Sequence, residues 1–107
     1  MKANKLGFFQ GDVVGQYILD LPKDVKPTKE RIVARGETTG HHHIVEGVQT
    51  AYENKTGFYF VVVPEEKALL THVGNDHETI ELIAGIVFIP RESQVEYDGE
   101  DERRVLD

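Results

Sequence analysis

Apolar residues along this chain come in short extended runs, and turn-forming residues interrupt them at intervals of roughly eight to twelve positions. That is the rhythm of short strands in a sandwich or barrel, in which alternate side chains face the core. A sustained helical stripe is missing. Phe8-Phe9 and Val13-Val14 flank the turn pair Gly11-Asp12, and Gly15 to Leu21 reads as a second extended piece. Pro22 to Pro27 is polar and bounded by prolines, which predicts a loop. Thr28 to Glu30 allows one helical turn before a strand over Arg31 to Arg35.

The second half is plainer. Ile44 to Val48 and Thr50 to Tyr52 read as a strand broken at Gly47, and Asn54 to Gly57 has the composition of a hairpin turn. Phe58 to Val63 is the strongest strand and is expected to be central. After a turn at Pro64 to Lys67, Ala68 to Val73 returns as a strand carrying His72. Gly74 to Asp76 turns again, His77 to Leu82 resumes, Gly85 breaks the run, and Ile86 to Ile89 ends at Pro90. Gln94 to Tyr97 is the last expected strand. The sequence therefore predicts an all-β domain, a small cupin-like barrel or jelly roll of about eight short strands over residues 1–97. An acidic, frayed tail is expected over 98–107.

Composition narrows the chemistry. A chain of 107 residues holds one core, and the absence of cysteine removes disulfides, thiolate ligands and thiol catalysis. Nineteen acidic against twelve basic residues give a formal charge of -7, which disfavours nucleic acid and anionic membrane as partners. Neither a signal-peptide core nor a membrane-spanning apolar stretch is apparent, so the expected location is the cytoplasm. A Gly-rich phosphate loop and a Gly-x-Ser-x-Gly elbow are both missing.

The candidate chemistry lies in five histidines grouped as His41, His42 and His43, then His72 and His77. In an extended strand His41 and His43 share a face and His42 points away. Imidazole suits divalent transition metals, which need three or four ligands, so the second cluster completes a site if the fold lays the two segments side by side. Asp76, Glu78 and Glu81 are nearby oxygen donors or acceptors. Glu37 has the parity of the pair. Glu46 has that of His42 and joins only if the backbone bulges near Ile44. Tyr97, Glu96 and Arg91 read either as a pocket mouth or as a strand-end ion pair.

The segment Gly36-Glu37-Thr38-Thr39-Gly40-His41-His42-His43, with Leu70-Thr71-His72, His77 to Ile80, Gly85, Gln94 to Tyr97 and Arg104 to Asp107, resembles a group of functionally uncharacterised short bacterial and phage proteins. These share a Gly-Glu-x-Thr-Gly-His-x-His signature, a later Thr-His and His pair and a closing Glu-Tyr. The resemblance spans roughly residues 6 to 107. A looser similarity is to the cupins, whose first motif carries His-x-His followed by Glu and whose second motif supplies another His. By position, His41 and His43 match the pair, and His77 or His72 the later histidine. Gly36 and Glu46 both stand closer to the pair than in the cupin pattern.

Together these readings give a divalent transition metal, zinc, iron, nickel or manganese, held by His41, His43 and His77, with His72 as fourth ligand or neighbour. A small-molecule ligand and a homo-oligomer are the expected partners, and catalysis is left open. The alternative is a noncatalytic structural or assembly module, in which the histidines serve turns or a subunit interface.

Overall fold

Among the described residues ten strands form, all antiparallel: β1 (Gly7–Gln10), β2 (Val13–Ile18), β3 (Lys26–Pro27), β4 (Ile32–Arg35), β5 (His42–Glu46), β6 (Thr50–Glu53), β7 (Gly57–Val62), β8 (Ala68–Val73), β9 (Ile80–Leu82) and β10 (Gly85–Pro90). The structure, a computed structural model, describes residues 7–35, 41–74 and 78–91. The expected strand at Gln94 to Tyr97, the tail over 98–107, and Glu37, Asp76 and His77 lie outside the described residues. Among the described residues there is no helix, and hence none long and apolar enough to cross a membrane.

The strands divide into a six-stranded sheet, in the order β1-β2-β10-β7-β6-β3, and a four-stranded sheet, β4-β5-β8-β9. Their pairing has a simple origin. β3 with β4, β5 with β6, β7 with β8 and β9 with β10 are four long strands, each bent so that one half lies in either sheet. Each long strand pairs in both sheets with the next: β4 with β5 and β3 with β6, then β5 with β8 and β6 with β7, then β8 with β9 and β7 with β10. The β1–β2 hairpin, turned at Gly11 with φ 61°, adds β2 beside β10. The expected all-β domain is thus a double sheet joined by strands that change layer. Barrel closure is not found: β1 and β3 remain edges of the larger sheet, and β4 and β9 edges of the smaller. Ten strands stand where about eight were expected because the bends split runs, and because Lys26–Pro27, in the expected loop, pairs with Glu53 and Tyr52.

The bends are specified by sequence. Gly47, between β5 and β6, has φ 84°, and a Cβ there would run into the Lys67 carbonyl of the neighbouring bend. Glu66 ties the two bends together, accepting from Gln49 N–H at 3.1 Å and from Val63 N–H at 3.2 Å. No helical turn forms over Thr28 to Glu30. Instead Glu30 N–H donates to Thr28 Oγ1, and the Arg31 guanidinium donates to the carbonyls of Thr28, Glu30, Val48 and Gln49. Five carbonyl contacts outcompete one isolated helical turn, whose nucleation is unfavourable.

One core fills the space between the layers. Val45, Leu70 and Ala68 from the smaller sheet meet Phe58, Phe60, Val62, Val87 and Ile89 from the larger. Tyr17 also faces inward, edge-on to Phe8; burial pushes its hydroxyl pKa up, while the Ile83 N–H it accepts works the other way. β7 is central as expected, paired on both sides and buried on both faces. Its outward Tyr59 is only 4% exposed and stacks on Phe88 at 4.8 Å. In the β2–β3 connection Leu21, Pro22 and Val25 are half-buried.

At the end of β10, Arg91 lies over the Phe58 ring, donates to Asn54 O at 3.0 Å and pairs with Glu53 at 3.0 Å. Arg91 thus pairs with Glu53, whereas Glu96 and Tyr97, expected beside it, lie outside the described residues. The hydrogen bond from Arg91 is the main cause that holds the Glu53 carboxyl below the ordinary carboxylate range.

Two outcomes follow from these contacts. Gly47→Ala should lower stability by at least ~2 kcal/mol in urea titration, because the added Cβ meets backbone at a left-handed position. The Glu53 pair stabilises the fold above the unfolded carboxylate pKa and is lost as pH falls through the lower folded value. Glu53→Gln should therefore cost about 1 kcal/mol at neutral pH and nothing at a pH below that folded value, read from paired melts across the acid range.

Candidate functional site

All the bends gather at one end of the smaller sheet, and the histidines lie at the other. The β5–β8 register sets His43 directly opposite His72, one row beyond Val45 and Leu70, which are 1% and 0% exposed. The two imidazoles stack, with centroids 3.9 Å apart and planes 15° from parallel. His41, just before β5, meets the His72 ring edge-on at 6.3 Å. Three of the four expected metal-site histidines are therefore brought together. The fourth, His77, is outside the described residues.

Strand parity holds through this region. His42 pairs with Val73 on the opposite face, and Glu46 falls on that same face, where it accepts from the Thr71 hydroxyl at 3.3 Å. The one register shift is on β4, between Ile32 and Ala34, so no bulge near Ile44 turns Glu46 inward. Glu78 and Glu81 are exposed.

Gln10 is the residue that sequence reasoning missed. It is 3% exposed, and with His43 at 6% it makes up the buried polar side chains among the described residues. Its Nε2 donates to Leu70 O at 2.8 Å and to Glu78 O at 2.9 Å, while its Oε1 lies 2.8 Å from His43 Nδ1. One amide thus joins the end of β1 to β5, to β8 and to the approach of β9. On this side the two layers are held by a side chain where a closed barrel would have a ladder. Gln10 has the inward parity of Phe8, which was the available signal, but the apolar Phe9 between them obscures the alternation.

Chemically, the cluster supplies imidazole nitrogens at the edge of an apolar core. It is not a preformed metal cage. Among the described residues no three His, Asp or Glu side chains are placed to hold one ion. The reason is visible in the stack: imidazole lone pairs lie in the ring plane, so two nearly parallel rings 3.9 Å apart cannot both aim at one point. A separate cavity of about 570 Å³ lies by the Arg91–Glu53 pair, lined by Asp24, Lys26, Lys55 and Asn54 as well, and takes no histidine.

The parity argument has a measurable outcome. His43→Ala removes a buried ring and its bond to Gln10 and should cost ~2–4 kcal/mol, whereas His42→Ala should stay within ~0.5 kcal/mol of the parent in urea titration.

No curated protein and no solved structure matches the chain. A family model described as a domain of unknown function, DUF8820, matches residues 9–91, from within β1 to the residue after β10. The match takes in Gln10 and both histidine segments, and leaves Gln94 to Tyr97 and Arg104 to Asp107 outside it. The chain belongs to the DUF8820 family.

Proposed function

We propose that the protein binds one divalent transition metal ion at the open end of the smaller sheet, through His41, His43 and His77, with His72 as fourth ligand or neighbour. The observation that carries this reading is the register that sets His43 opposite His72, with His41, just before β5, edge-on to the His72 ring. Gln10 adds to it, because a metal-bound imidazole usually engages its second nitrogen with an oxygen acceptor, as His43 Nδ1 does. Ion binding would require His72 to turn out of the stack or to remain beside the ligands. Nitrogen donors of this kind suit zinc, iron, nickel or manganese, and a position left open by three ligands would admit a small molecule.

Metal analysis of protein purified without a histidine tag, followed by calorimetric titration with zinc, tests the reading. About one ion per chain is expected, falling to near zero in the His41→Ala/His43→Ala variant. A wild-type protein that neither carries nor takes up metal overturns it.

A second reading is favoured by the Gln10–His43 bond itself, since it fastens β1 to β5 without any ion. On that reading the protein is a noncatalytic assembly module whose histidines are structural, and it forms a homo-oligomer. Chelator separates the two: loss of melting temperature on adding EDTA supports the metal site, and an oligomer indifferent to EDTA supports the module.

A further inference from the structure

We infer that Gln10 is a positioning residue that fixes the tautomer of His43, so that the ring presents Nε2, not Nδ1, to whatever binds at the open end of the sheet. The argument is one of hydrogen-bond supply. Leu70 O and Glu78 O are carbonyl oxygens and can only accept, so the Gln10 atom 2.8 and 2.9 Å from them is the NH₂ group. Both its hydrogens are thereby used. The other end of the amide is an oxygen, which also can only accept, and it lies 2.8 Å from His43 Nδ1. Nδ1 must then carry the proton. In the neutral ring the lone pair is left on Nε2.

The two carbonyls are what make this assignment firm. With a single carbonyl partner the amide is free to flip and offer its NH₂ to the imidazole, reversing the tautomer. Here a flip would set the amide oxygen against two carbonyl oxygens and leave buried acceptors unmet, which is strongly unfavourable. The β8–β9 pair thus acts on His43 through Gln10. β8 and β9 meet only as far as Leu70 and Ile80, so Leu70 O and Glu78 O lie where their ladder ends.

The tautomer stands apart from metal binding, and only its consequence for affinity rests on the proposed function. Ring-nitrogen NMR of metal-free protein, at a pH where the imidazoles are neutral, reads it directly. Wild-type His43 should be protonated at Nδ1. Gln10→Met, close in shape but without an acceptor, should lose that preference, and Gln10→Glu should keep it while lowering stability, since it has no donors for the two carbonyls. Zinc affinity should fall about 10–100-fold in Gln10→Met and be largely retained in Gln10→Glu. A wild-type His43 protonated at Nε2, or a folded Gln10→Met that still holds the proton on Nδ1, overturns the inference. Should Gln10→Met fail to fold, the wild-type and Gln10→Glu spectra still decide it. If the tautomer responds as stated and wild type binds no zinc, the positioning role stands and the metal reading falls.

Discussion

The structure depends on one constraint: four long strands must each turn from one layer to the other at the same end of the molecule. A bend in one long strand has to nest in the bend of the next, since the strands pair along both halves. That is why Gly47 sits against the Lys67 carbonyl, and why Glu66 reaches two backbone N–H groups of neighbouring bends. With the bends fixed, the register of every pair is fixed. The row that places Val45 opposite Leu70 in the core also places His43 opposite His72 at the far end. A shift of one residue would carry the histidines to the outer face and His42 inward.

Most of the strands were legible in the sequence because they are punctuated. Gly11, Gly47 and Gly85 interrupt extended runs at positive φ, and each break expected at those residues is found. The central place of Phe58 to Val63 was legible from its aromatic and β-branched composition, and β7 is buried on both faces. What could not be read was the sharing of long strands between sheets, since a bend and a turn have the same composition. The same ambiguity hid β3, whose Lys26–Pro27 pairs with β6 although proline removes a donor, as is tolerated at an edge.

The candidate site was legible by parity and illegible by partner. Alternation separates His41 and His43 from His42 and Glu46, and the register agrees at each position. Alternation says nothing of what a histidine faces across the sheet or from another strand. Gln10 acts across 33 residues on His43 and across 60 and 68 residues on two carbonyls. A lone glutamine in an apolar run has no spacing that announces such a role, and only folding brings its amide to the three groups that satisfy it.

A buried amide is costly unless its hydrogens and its oxygen are met, and Gln10 answers that demand at the boundary of the core, not inside it. Below it, Val45 and Leu70 are fully enclosed and hold the strands. Above it, ring stacking and the Gln10 amide are among the contacts that hold the histidines, each worth little beside the core. Such an arrangement separates two tasks that compete in a closed barrel. The bent end and the apolar row keep the register of the ladder beneath the histidines. His43 is the member tied through Gln10 to β1, β8 and the approach of β9.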